Sequence, residues 1–159
     1  MDFEKAKEKA LGFISRRRLA KKELADKLYK SGFDEETVER VSLWAEEYGF
    51  INDFEYAKSY ISDCVNIKRH GMKRIRFDLK NKGIDEFTID DALFEMGEID
   101  ETEAIKDIIA KRLDDVSDRK KTDKVIRFLV SRGYKFSDIK KVLGEYISDL
   151  QFGEDGFDE

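Results

Sequence analysis

Apolar residues recur along this chain at three- and four-residue intervals, the period of a helix with one buried face. Phe3, Ala6, Ala10, Phe13 and Ile14 form the first such face, and Leu24 and Leu28 mark a short second one. Val38, Val41, Trp44, Ala45 and Tyr48 make a third; Phe54, Ala57, Tyr60, Ile61 and Cys64 make a fourth. Met72, Ile75 and Leu79 give a fifth, and Ile89, Ala92, Leu93 and Met96 a sixth. Ala104, Ile105, Ile108, Ile109 and Leu113 form the seventh, and Val125, Phe128 and Leu129 the eighth. Ile139, Val142, Leu143, Tyr146, Ile147 and Leu150 complete a ninth. No stretch alternates with period two over a useful length, so no sheet is expected.

The chain has no proline, so Gly, Asn and Asp must stop its helices. Asp34, Asp53, Asp85 and Asp100 each stand just before a helical run. An Asp there accepts an orphan backbone N–H and faces the positive end of the helix dipole. Glu103 follows Asp100 at capping-box spacing.

One unit repeats. Leu28 to Phe33, Leu79 to Ile84 and Leu129 to Tyr134 each read Leu, three residues, Gly, apolar, at intervals of 50 or 51 residues. Leu24, Ile75 and Val125 stand four residues upstream; Val38, Ile89 and Ile139 stand downstream. The Gly is expected in the left-handed region, ending the middle helix, with the next apolar residue folded back onto it. The expected fold is therefore all-α: three tandem three-helix repeats in an elongated, curved array. The repeats are assigned to residues 1–51, 52–98 and 99–150, with an acidic flexible tail at 151–159. A unit of this size buries little surface alone, and stacking supplies the rest.

Composition narrows the function. Charged residues make up 42% and the apolar set 40%, which suits helices with a narrow core and a wide solvated surface. No apolar run approaches the length of a membrane span, and Met1 to Lys5 open no signal-peptide stretch, so a cytoplasmic location is expected. The single Cys64 lies on an apolar face and is expected to be a buried thiol. The single His70 excludes any two-imidazole site, and its place in the basic run Lys68 to Gly71 makes a loop contact its expected role. There is no P-loop and no zinc-ligand spacing. No catalytic residue, metal site or cofactor is expected, and the chain is not expected to be an enzyme.

The net charge of −5 conceals a segregation. The middle helix of each repeat, with its approach, is basic. Arg16, Arg17, Arg18, Lys21 and Lys22 lie in the first; Lys68, Arg69, Lys73, Arg74, Arg76 and Lys80 in the second; Lys124 and Arg127 in the third. The third helices of the first two repeats lean acidic, from Asp34 to Glu47 and from Asp85 to Glu98, and are expected to face elsewhere. Any one cluster reads as a solvated face. Recurrence at the same place in three repeats favours a basic stripe for a phosphate backbone or an acidic protein surface.

Two motifs resemble a known family. Tyr48-Gly49-Phe50-Ile51-Asn52-Asp53-Phe54-Glu55-Tyr56-Ala57 is similar to the RecX signature: Gly, aromatic, aliphatic, acid or amide, Asp, then an aromatic-Ala pair. The stretch Gly71 to Ile84, with Ile75, Leu79 and Lys82-Gly83-Ile84, resembles the family's second-repeat motif. Glu23-Leu24 with Leu28 resembles its first repeat, and Arg127 to Leu129 with Arg132-Gly133-Tyr134 its third. Three places depart from the pattern. Ala20 stands where the family often has a Ser or Thr cap, Ser62-Asp63-Cys64 where an Arg is common, and the overall charge is acidic.

The resemblance implies a monomeric three-repeat protein that binds the RecA filament on single-stranded DNA. It implies inhibition of strand exchange and ATP hydrolysis, with no membrane partner. Several weak contacts along a periodic partner add through effective concentration. The thirteen basic residues named above are the expected contacts with RecA or, directly or through RecA, with the DNA. A direct duplex-binding helical module and a scaffold for another partner are the alternatives. Acidic net charge and the scarcity of Asn and Gln in the basic helices weigh against the duplex module.

Overall fold

A computed structural model describes residues 2–155, with side chains through residue 148. Among them are α1 (Asp2–Arg16), α2 (Lys21–Lys30), α3 (Glu35–Glu47), α4 (Asp53–Asp63), α5 (Met72–Asn81) and α6 (Glu86–Met96). The order continues with α7 (Thr102–Arg112), α8 (Arg119–Ser131) and α9 (Phe136–Asp155). A π-helical turn, Cys64–Lys68, follows α4 and ends at Arg69 in the left-handed region (φ 56°). Among the described residues there is no strand, and no helix is long and apolar enough to cross a membrane. The helix α9 runs to Asp155, five residues beyond the Leu150 at which the repeat pattern ended it. The rest of the acidic tail, 156–159, and the side chain of Leu150 lie outside the described residues.

The helices form three triplets. In the first, α1, α2 and α3 each pack on the other two. Ala6, Ala10, Leu24, Leu28, Val38, Val41 and Ala45 fill the core between them, closed by Leu19 and Ile51. In the last, α7, α8 and α9 pack in the same way around Ile105, Ile109, Val125, Leu129, Ile139 and Val142. Small residues at Ala6 and Ala10, both fully buried, let α1 approach its neighbours closely. Cys64 is a fully buried thiol. The described residues divide into two compact units: 2–62 with 76–97, and 63–75 with 98–155.

Each middle helix ends as its Gly dictates. Gly32, Gly83 and Gly133 have φ of 97°, 85° and 95°. Their N–H groups donate to Tyr29, Lys80 and Val130; the next residue's N–H donates to Leu28, Leu79 and Leu129. That is a Schellman ending in three copies. Ile84 and Tyr134 are buried behind it, and Phe33 packs against the first core.

Glycine does a second job at two of these three places. A Cβ on Gly32 would meet nothing within 4 Å. One on Gly83 would lie 2.5 Å from Lys22 Cβ, and one on Gly133 would lie 2.5 Å from the Arg74 N and Cβ. The start of the preceding middle helix therefore docks on the end of the next one. At Gly133 the docking is hydrogen-bonded: the Gly71 N–H donates to the Arg132 carbonyl (2.8 Å), and the Lys73 N–H to that of Gly133 (3.2 Å). Gly71 is glycine for want of room, since its Cβ would sit 2.3 Å from the Gly133 carbonyl carbon.

The docked helix starts are capped from outside. Asp34 and Asp85 cap their own helices, each accepting the N–H three residues on, from Thr37 (2.9 Å) and Thr88 (2.8 Å). Asp53 does not. Its carboxylate accepts the Lys21 N–H (2.8 Å) at the start of α2, supplying the cap that Ala20 lacks, while Asn52 accepts the Glu55 N–H of α4. Glu101, at the head of α7, does the same for α5 by accepting the Met72 N–H (3.0 Å). The expected capping box at Asp100 and Glu103 is replaced by a local turn, Asp100 accepting from Thr102 two residues on. The helix α8 caps itself, Asp118 accepting the Lys121 N–H (3.2 Å).

Burial raises the Asp53 carboxyl above its usual range, and burial also raises Glu101. The folded chain thus holds these protons more tightly than the unfolded one. The ionised groups cost stability that returns as pH falls through the raised pKa. Asn at position 53 keeps the acceptor and sheds the charge. Asp53→Asn is therefore expected to match or exceed the parent in urea unfolding at neutral pH, with any advantage vanishing below the carboxylate range. Asp53→Ala, which removes the acceptor, is expected to lose about 1–2 kcal/mol in the same measurement.

Candidate functional site

A long cationic side chain on a helix has two fates: a carboxylate of its own chain, or solvent. The structure separates the candidates on that basis. Arg17 pairs with Glu23 (3.0 Å), Lys21 with Glu46 (3.3 Å), Arg69 with Asp107 (3.3 Å) and Arg76 with Asp90 (2.9 Å); Lys80 pairs with Glu86. The acidic third helices therefore do not simply face elsewhere. Glu46 of α3 and Glu86 and Asp90 of α6 reach back to the middle helix of the same triplet, whose charge they offset. Such exposed pairs are salt-screened and weak, but they compete with an outside partner for the same cation.

Glu23 is the busiest carboxylate of this set. It accepts the Ala20 N–H (3.0 Å), holds Arg17 and has Lys82 at 3.7 Å. Burial works to raise its pKa, but the Ala20 N–H, Arg17 and the Lys82 charge outweigh it and hold the group below its usual range. Arg17 is thus pinned, and its other guanidinium nitrogen donates to the Arg18 carbonyl (3.3 Å).

Arg16, Arg18, Lys22, Lys73, Lys124 and Arg127 are exposed and enter no ion pair found among the described residues. Lys68 and Arg74 are exposed as well. Their surroundings differ. Lys21 and Lys22 line a cleft of about 740 Å³ with Glu39, Glu46, Asp53 and Asp85, so carboxylates outnumber cations there. Lys124 and Arg127 line an open hollow of about 610 Å³ with Lys120, Ile126 and Phe136, against Asp123 alone. Residues 120, 124 and 127 share one helix face by their spacing. The end of α8 is held by Arg112 and Arg132, both over the Phe128 ring (3.5 and 4.9 Å). Arg132 also meets His70 Nε2 at 3.3 Å, which gives the buried His a loop contact.

Some exposed groups were not singled out by charge. Trp44 is half-buried as expected of a core residue, but Tyr48 is 70% exposed and Phe50 44%. Phe87 and Phe94, on one face of α6, are 84% and 90% exposed. The seven-residue spacing was visible in the sequence, but the buried face of α6, carried by Ile89 and Ala92, masks it. Among the described residues no group of three His, Cys, Asp and Glu side chains could hold a metal ion.

Fold and site together define a protein of tandem three-helix modules with cationic middle helices. Three family models match in order: RecX, first three-helix domain, at residues 6–41; the second at 52–93; the third at 98–143. The regulatory protein RecX of Clostridium tetani is 34% identical over 151 residues, spanning 92% of this chain and 69% of that protein. That of Clostridioides difficile is 35% identical over 147 residues, spanning 91% and 69%. The crystal structure of RecX from Lactobacillus salivarius superposes with a TM-score of 0.80 at 28% identity, covering 91% of this chain and 96% of that one. The chain belongs to the RecX family.

Proposed function

We propose that this chain binds the RecA filament on single-stranded DNA and restrains its ATP hydrolysis and strand exchange. The observation that carries the reading is a family membership of regulatory proteins joined to cations left exposed on the middle helices, Lys124 and Arg127 foremost. Arg127 suits a carboxylate or phosphate through its planar fork, and Lys124 adds a point charge beside it. Arg16, Arg18, Lys22 and Lys73 extend the contact set on the other triplets. Arg17, Lys21, Arg69, Arg76 and Lys80 each face a carboxylate of the chain, which competes with an outside partner for the same cation. Each repeat contributes a modest contact, and tethering makes the sum strong. Of the paired and unpaired cations, only the latter meet a partner without first breaking a bond at home.

The test is the steady-state ATPase of RecA on single-stranded DNA as the chain is added. The rate is expected to fall in a saturable way, and to recover as salt is raised. A rate indifferent to the chain at every concentration, with RecA filaments intact, refutes the reading.

A further inference from the structure

The signature at residues 49–53 is mostly accounted for by architecture. Gly49 takes φ 77° and Ile51 is buried, while Asn52 caps α4 and Asp53 caps α2. Phe50 is the exception: it is a large apolar side chain left 44% exposed. It lines a hollow of about 380 Å³ with Ile14, Arg18, Gly49, Asn52 and Glu55. Behind it the ring of Trp44 lies 5.3 Å away, tilted by 35°. Trp44 in turn is 5.8 Å from Tyr48 and carries Lys7 over its face at 4.7 Å. The Phe50 ring is thus backed by a second aromatic and held in place.

We infer that this hollow receives one unstacked base of a single-stranded nucleic acid, with Phe50 as the stacking surface and Arg18 as the phosphate contact. The parts fit that chemistry. An aromatic face stacks on any base, and a neighbouring guanidinium tracks the backbone. Arg18 is exposed while the tie from Arg17 to its carbonyl fixes the loop that bears it. Arg16 adds a further exposed cation two residues away. The Asn52 Oδ1 is occupied by the Glu55 N–H, which leaves its amide NH₂ as a donor. Glu55 supplies an acceptor on the same wall. A heterocycle edge carries both donors and acceptors and answers that pair. A phosphate inside the hollow would meet the Glu55 carboxylate, so the base enters and the phosphate stays at Arg18.

The inference does not rest on RecA, and its assay contains none. Trp44 is the only tryptophan and its ring lies 5.3 Å from that of Phe50, so its emission reports on the hollow through Phe50. The full chain is titrated with a thymidylate oligomer of about ten nucleotides, and separately with an abasic oligomer of the same length. The thymidylate oligomer is expected to change Trp44 emission and to bind about tenfold more tightly than the abasic one. Phe50→Leu is expected to erase that preference, leaving both oligomers at the abasic affinity, while Phe50→Tyr, which keeps the ring, restores it. Arg18→Gln is expected to weaken both oligomers alike. Equal affinity of the parent for the two oligomers, absence of binding, or a base preference that survives in folded Phe50→Leu overturns the inference. A base preference with an unaffected RecA ATPase sinks only the filament reading, and the converse result sinks only this one.

Discussion

Gly133→Ala is expected to destabilise the chain by about 3 kcal/mol, against about 1 kcal/mol for Gly32→Ala. Both positions carry positive φ, 95° and 97°, so both replacements bear the left-handed cost of a side chain with a Cβ. Only Gly133 adds a collision. Its new methyl would lie 2.5 Å from the Arg74 backbone N and 3.0 Å from the Arg74 Cα. Backbone cannot rotate away as a side-chain tip can, so the start of α5 must lift. Lifting it strains the Gly71 and Lys73 hydrogen bonds to residues 132 and 133 and the cap from Glu101 to Met72. Gly83→Ala falls between the two, because its obstacles are Lys22 side-chain atoms, some of which can swing aside. Urea unfolding of the three variants ranks them. Equal losses at Gly32 and Gly133 would mean that the docking of α5 contributes nothing.

Reversing Lys124 and Arg127 together to Glu is expected to raise the concentration needed for half-inhibition of RecA ATPase by about tenfold or more. Both side chains are exposed, neither is engaged in an ion pair among the described residues, and both line one hollow. The reversal removes two attractions and installs two repulsions toward an anionic partner, with little at stake in folding. Arg76→Gln is the matched comparison. It breaks an existing pair with Asp90, and its effect on inhibition is expected to be small. Comparable losses from both changes would show that general charge, rather than these positions, governs the interaction.

The helical fold was legible because it rests on local chemistry. Helix period, the Leu-to-Gly spacing and the Asp34 and Asp85 caps all act within a few residues, and all appear as read. The caps from Asp53 and Glu101 were hidden because each bridges about thirty residues of chain to a different helix. An Asp before a helix looks the same in sequence whether it caps that helix or another. Ala20 was the one available clue, a cap position with no acceptor. The candidate site was legible as a list of cations and illegible as a surface. Whether Arg76 faces solvent or Asp90 depends on how α5 lies on α6, which periodicity alone does not fix. Phe50 illustrates the same limit: in a dense apolar signature its neighbours Ile51 and Tyr56 are buried, and only packing shows which ring is left out.

The most direct measurement is sedimentation of the chain with preformed RecA filaments on single-stranded DNA, beside free RecA and bare DNA. Co-sedimentation with filaments above both controls, reduced by salt and by the Lys124 and Arg127 reversal, is the predicted result. A chain that stays in the supernatant with intact filaments at low salt would contradict the proposed function outright.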